Sequence, residues 1–444
     1  MRREGARVLR LALPILVTQL AYMATAATDT FMAGRLDATA LAAVGLGAAL
    51  WVPATTFIGG ALYVMLPSVA GHVAARRHAE AGREAVTGAW LGLMLGAVAG
   101  FLLWVLAPLG LTWTGVDPLI VEPVSGYVRL VAPGLPFMGL WAAARYFCDG
   151  HSDTRPAMLV ALFVFVLNIP LNAVLMYGAG LGVAGIGLST GIGFALGGGA
   201  MAARALRARR YGRARLRRAP KGFNGRAVAA LLVLGAPVGL MFLGEYVALS
   251  TVAVLVGGLG AVPLAAHQVA FNLTMTLFMI PASLSVAVSI RVGAAMGRND
   301  EAAAGRDLGA GLMLACGLSA CFALLVLLLS DTVARWYTAD PAVQALAARL
   351  FVVAGLFLVF DAVQIVIAGY LRGRGDVRGP LVLLLASYWL VGMPVGWMLS
   401  DGHGVVGWWT GLLCAVVTLA VLMVVRLRRA RHGRPVRRLR PLWR

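Results

Sequence analysis

The sequence predicts an all-α polytopic membrane protein with twelve transmembrane helices in two pseudo-symmetric six-helix bundles. Three observations predict it. The 444-residue chain is 60% hydrophobic and 13% charged, with a mean hydropathy of +0.85, whereas soluble domains are about 45–50% apolar and about 25% charged. Apolar segments long enough for a bilayer recur along its length. The sequence also matches itself at one constant offset of 223 residues, half its length.

A bilayer core needs ~20 apolar residues per helix. Twelve such segments run in order over 8–33, 41–70, 87–110, 124–147, 157–179, 183–205, 227–256, 264–290, 308–330, 345–371, 380–399 and 404–426. The 55 glycines suit close helix contacts in lipid, and the alternating pattern of a membrane barrel is absent. The first segment has features of a secretory signal: Arg2, Arg3, Arg7 and Arg10, an apolar run, then "ATAA". That run is long for a signal, and the repeat counts the segment as a structural helix, so it is expected to stay.

The net charge is +20, and all but Lys221 of the 38 basic residues are arginine. A nucleic-acid binder would collect this charge on one surface. Here arginine crowds the N-terminus, 72–83, 145–155, 204–226, 291–306, 372–378 and 426–444, which are alternate connections plus both tails. The connections near 111–123, 180–183, 257–263 and 400–403 hold no Lys or Arg, and those near 34–40 and 331–344 hold only Arg35 and Arg335. This positive-inside pattern places both termini in the cytoplasm and requires an even number of spans. The runs "RARRYGRARLRR" and "RLRRARHGRPVRR" then act as topology signals that also suit anionic lipid. Cys148, Cys316, Cys321 and Cys414 lie in or beside spans without metal-ligand spacing and read as packing residues.

At offset 223, Pro14 falls on Pro237, "LDATALAAVGL" (36–46) on "LGAVPLAAHQV" (259–269), "AGR" (81–83) on "AGR" (304–306), and "GHSDTR" (150–155) on "GRGDVR" (373–378). The expected organisation is a first bundle over 1–205, a basic cytoplasmic linker over 206–226, a second bundle over 227–426 and a basic tail over 427–444. Six spans per half give both halves the same topology, the parallel-repeat arrangement of some secondary transporters.

Three acidic residues fall inside spans. A carboxylate at the bilayer centre costs at least ~2.5–3.5 kcal/mol and normally faces a cavity with a function. Glu245 lies mid-span, with no Lys or Arg expected on a nearby face to pair with it. Asp361 is eleven residues before Arg372, about 16 Å along a helix, and Gln364 shares its face. Asp29 follows Leu11–Thr28, which has no charge, and lies towards the outer end of span one. The competing reading for each is a hydrogen-bonded structural carboxyl. The repeat weighs against it: Asp29 falls on Val252, Glu245 on Tyr22 and Asp361 on Met138, so the acids are half-specific. A desolvated carboxylate without a cationic partner favours its protonated form, or takes up Na⁺ or a cationic substrate. Exclusive occupancy of one carboxylate by ion or substrate is a simple antiport mechanism. Polar neighbours are Asn168 and Asn172 around Pro170, Thr190, and His267, Gln268, Asn272 and Thr274. Taken singly, each also reads as an interhelical hydrogen bond.

The stretches "ATDTFMAGRLDATALAAVGLG", "LNIPLNAVLMYG", "GVAGIGLSTGIG", "GAPVGLMFLGEY", "PLAAHQVAFN" and "FDAVQIVIAGYLRGRGD" resemble, in order and over nearly the whole chain, the multidrug and toxic compound extrusion (MATE) family. Glu in span seven with Asp in span ten is similar to its NorM-like bacterial branch. The resemblance implies two bundles of six helices and export of organic cations driven by Na⁺ or H⁺. It implies that Asp29, Asn168, Asn172 and Thr190 form an N-lobe site, and that Glu245 and Asp361 form a C-lobe cation site open to Na⁺. Two positions depart from the pattern: Asn172, where some members carry Asp, and Phe357, where some carry Tyr.

The expected partners are small cationic or amphiphilic compounds and membrane lipid, with no nucleic acid, no cofactor beyond the coupling ion, and a monomeric chain in a bacterial inner membrane. A flippase for lipid-linked or polysaccharide precursors of the same superfamily is the alternative; its cavity would be cationic, whereas the intramembrane charges here are acidic. A membrane enzyme would need clustered Asp or His, and the six His residues are scattered. The P-loop pattern of an ATP-driven pump is absent.

Overall fold

The computed structural model describes residues 2–113, 117–214 and 222–432. Among them the chain is helical, with no strand. The helices are α1 (Arg2–Leu36), α2 (Ala38–Tyr63), α3 (Met65–Ala74), α4 (His78–Trp113), α5 (Pro118–Val131), α6 (Leu135–Gly150), α7 (Arg155–Ala173), α8 (Val183–Arg207), α9 (Gly225–Gly257), α10 (Ala261–Gly297), α11 (Glu301–Leu328), α12 (Ser330–Tyr337), α13 (Pro341–Gly373), α14 (Arg378–Ala386), α15 (Met393–His403) and α16 (Val405–His432). Eleven helical stretches among the described residues are long and apolar enough to cross a membrane. The segment expected at 124–147 is not one continuous helix. It breaks at the 3₁₀ turn Ala132–Gly134 between α5 and α6, because Pro133 and Pro136 remove two backbone donors and resist α geometry before them. The parts of the basic runs at 215–221 and 433–444 lie outside the described residues.

The acidic residues between spans have a local task. Asp37, Asp117, Asp300 and Asp340 each cap the helix that follows, accepting from Ala40, Leu119, Ala303 and Ala342 at 2.6–2.9 Å. Replacing Asp37 by Ala is expected to cost about 1 kcal/mol, the usual value of an N-cap, read as a lower thermal-unfolding midpoint in detergent.

Two compact units result. One holds α1 up to Leu16 and the described chain from Leu240 onward; the other holds Val17–Gly239. The boundary differs from a simple cut in the linker because the first turns of α1 and α9 each join the opposite half of the sequence. Val8 and Ala12 sit in the core with Leu308 and Ala315, and Val228 and Leu231 sit in the core with Ala81 and Leu91. These are equivalent exchanges, since Val8 plus 223 is Leu231. The repeat also shows in the backbone. The left-handed residues Arg76 and Asn299 (φ 60° and 57°), and Ser152 and Gly375 (φ 57° and 84°), stand at the same offset.

Within the Val17–Gly239 unit, α4 lies against α6 backbone to backbone. Gly92, Gly96 and Gly100 form one face of α4, and a Cβ on any of them would meet the main chain of Gly139, Leu135 or Ala132. After α8 the chain turns back through the 3₁₀ segment Arg209–Ala214. Tyr211 there is buried, with its ring 5.4 Å from Phe147 and 5.0 Å from His151. Its hydroxyl donates to Asp153 at 2.5 Å, and burial pushes that hydroxyl well above the usual phenol range, which keeps it a donor. Arg204 and Arg210 pair with the same carboxylate. The start of the linker is therefore docked on its unit rather than free.

Candidate functional site

In the Val17–Gly239 unit α1, α7 and α8 bring four of the expected residues together. Asn172 Nδ2 donates to Asp29 Oδ1 at 2.6 Å, and Thr190 Oγ1 lies 3.5 Å from Asp29 Oδ2. Asn172 also donates to Asn168 Oδ1 at 3.2 Å, and Asn168 Nδ2 donates to Ser189 Oγ at 3.3 Å. All five side chains are buried. The i, i+4 spacing of Asn168 and Asn172 stacks their amides on one face of α7. Pro170 lies between them, and the helix widens to a π-turn over Val174–Gly178 one turn later, a distortion that recurs at functional sites. No cation bonds to Asp29 among the described residues. Its partners are neutral donors, and Asn172 Oδ1 is left buried without a hydrogen bond. Tyr127, whose hydroxyl accepts from Trp51 Nε1 at 3.1 Å, lies within electrostatic reach of Asp29.

In the other unit Asp361 is 1% exposed and accepts from Gln364 Nε2 at 2.8 Å, as their i, i+3 spacing on α13 implies. Glu245 on α9 is half-buried and within electrostatic reach of Asp361. The expectation that no cation serves Glu245 is corrected here. Arg372 is 3% exposed, and its charge reaches Glu245. It also donates to Ser285 Oγ at 3.2 Å and lies 5.5 Å from the centre of the Phe242 ring. Eleven residues are just over three whole helical turns, so Arg372 lies on the same face of α13 as Asp361. The helix therefore carries its arginine inward at its end instead of out to solvent.

The structure does not join every expected residue to these carboxylates. Gln268 and Asn272 are exposed on α10. His267 is 1% exposed and serves the core, with Nδ1 accepting from Trp409 Nε1 at 3.1 Å. Thr274 donates back to Ala270 O within its own helix.

The MatE family model matches residues 14–174 and 237–398. The chain belongs to the MatE (MATE) family. The two matched stretches begin at Pro14 and Pro237, the equivalent positions of the repeat. The MATE chain is 34% identical to the multidrug resistance protein PmpM of Pseudomonas aeruginosa, over 97% of this chain and 92% of that one. It is 31% identical to the multidrug resistance protein MdtK of Yersinia enterocolitica, over 96% and 95%. The crystal structure of the eukaryotic MATE transporter AtDTX14 shares the fold, with a TM-score of 0.87, 17% identity and 96% of each chain covered. The chain is thus a multi-pass membrane transporter and not an enzyme.

The geometry adds residues to these candidate sites that sequence reading missed. Tyr388 is 1% exposed, lies within electrostatic reach of both Glu245 and Asp361, and has a buried hydroxyl without a hydrogen bond. It sits in the π-segment Ser387–Gly392 between α14 and α15; a lone tyrosine in an apolar run carries no sequence signal of its role. Ser189 had one, since it adjoins Thr190.

Proposed function

We propose that this MATE chain exports organic cations in antiport with Na⁺ or H⁺, by alternating access, from a bacterial cytoplasmic membrane with both termini inside. The observation that carries this reading is the environment of Asp29, a buried carboxylate held by neutral donors alone. A charge in that position is stabilised by two hydrogen bonds and is destabilised by desolvation. Binding a proton, a Na⁺ or a substrate cation relieves the same cost, so the three compete for one group. Asn172 fits either state: it donates to the carboxylate, and after an amide flip its oxygen accepts from the protonated acid. In the other unit Glu245, Asp361, Gln364 and Tyr388 supply the oxygen donors that a hard cation such as Na⁺ takes. The names of the relatives, multidrug resistance proteins, support a drug-like substrate class.

The test uses proteoliposomes that carry either a Na⁺ gradient or a pH gradient, with a fluorescent organic cation as reporter. One gradient is expected to drive the cation, and Asp29→Asn is expected to slow that movement ~10-fold or more, equivalent to ~1.4 kcal/mol in the rate-limiting barrier. Normal driven transport by Asp29→Asn sinks the assignment of Asp29. If neither gradient moves any cation in the wild type, the antiport reading itself is wrong.

A further inference from the structure

At the Arg-rich end of the unit that contains α10–α16, a cavity of about 580 Å³ lies between the start of α11 and the end of α13. Glu301, Ala302, Gly305, Arg306 and Gly309 line it from α11, with Tyr370 from α13 and Arg374 just past its end. Ala302, Gly305 and Gly309 share one helix face, and a Cβ on Gly305 would meet nothing within 4 Å. The Arg374 side chain is only 5% exposed. Nη1 donates to the Tyr370 hydroxyl at 3.3 Å and Nη2 to Glu301 Oε1 at 3.4 Å. Both are long for bonds from a charged donor. Nε is buried without a hydrogen bond. Glu301 is 61% exposed at the rim, so the lining carries two guanidinium groups against one loosely held carboxylate.

The repeat shows what the same corner does in the other unit. At offset 223 Tyr370 falls on Phe147, Arg374 on His151 and Gly305 on Gly82. There Phe147 and His151 pack on Tyr211, and the corner is filled. The α11–α13 corner has a guanidinium in the place of the imidazole, and among the described residues no ring fills it.

We propose that this cavity binds a phosphate group, either the phosphodiester of an anionic phospholipid or free phosphate, through Arg374, Arg306 and the Tyr370 hydroxyl. The planar guanidinium fork matches two phosphate oxygens at once. Phosphate replaces Glu301 as the partner of Arg374 and takes up its unused donor capacity. The small residues of α11 leave room for the group attached to the phosphate. The Arg-rich end is also where positive-inside topology brings the chain against anionic headgroups.

Native mass spectrometry of the full-length protein in detergent tests this with phosphatidylglycerol, phosphatidylcholine and inorganic phosphate as probes. Arg374→Gln removes the charge. Gly305→Leu fills the open space and keeps every charge, so it remains informative if the first variant folds poorly. Both are expected to weaken the tightest-bound phosphatidylglycerol ~10-fold, the scale of losing a bidentate charged contact, with phosphatidylcholine unaffected. Displacement of that lipid by added phosphate, with the same losses for phosphate in both variants, identifies free phosphate as the source; resistance to displacement identifies the lipid. Wild-type affinity of both variants for both probes overturns the proposal, as does equal binding of phosphatidylcholine at the tightest position. No transport is measured, so this outcome is independent of the antiport reading.

Discussion

Glu245→Gln or Asp361→Asn is expected to reduce gradient-driven export to the passive leak, ~10-fold or more below wild type, while the protein still inserts and elutes normally. The reasoning is electrostatic. Asp361 is fully buried, with one neutral donor bonded to it, Gln364. Glu245 lies within electrostatic reach of it, and the charge of Arg372 reaches Glu245. With both acids ionised, one fixed cation leaves one negative charge, which under the proposed antiport a transported cation neutralises. Either amide removes that charge and keeps a similar shape, so folding survives while the coupling free energy is lost. Driven export at the wild-type rate by both variants would show that the α9–α13 carboxylates are structural. Loss of export together with aggregation would call for repeating the measurement with Gln364→Ala, which leaves both charges in place.

Gly96→Leu is expected to prevent recovery of folded protein. A Cβ at Gly96 would overlap the Leu135 carbonyl oxygen and the backbone of Pro136. Main chain cannot move aside as a side-chain tip can, so α4 and α6 would have to separate. Gly92 and Gly100 hold the same seam one turn on either side, which leaves no room to tilt. Overpacking of this kind costs ~3 kcal/mol or more in a molecule whose whole stability is of order 5–15 kcal/mol. Monodisperse protein by size-exclusion chromatography, with an unfolding midpoint within a few degrees of wild type, would show that the seam is looser than described. Gly199→Leu is the control, because a Cβ there meets open space.

How far the site was legible in the sequence depends on the separation of its parts. Asp361 with Gln364, and Asn168 with Asn172, are one helical turn apart, and their contacts follow from the 3.6-residue period. Arg372 was equally available at eleven residues, but its place in an arginine-rich connection favoured the reading of a topology signal. Asp29 is 143 residues from Asn172 and 161 from Thr190. No local rule joins them; the likeness to a family did. Tyr388 escaped both routes, and Gln268 and Asn272 were grouped with the site by polarity although they are exposed on α10.

By itself the sequence determined the membrane fold, the two-fold repeat and the membership in the MATE family. Hydropathy, charge placement and a constant offset are properties of the chain that need no contact to exist. Only the tertiary structure decided the rest. It broke the fourth span at Ala132–Gly134, exchanged the first turns of α1 and α9 between the units, brought Arg372 within electrostatic reach of Glu245, and filled one symmetry-related corner with Tyr211 while, among the described residues, no ring fills the other. The physical reason is common to all four. Each depends on which faces of apolar helices meet, and in lipid that choice rests on backbone fit and a few buried polar bonds, which an apolar run does not spell out.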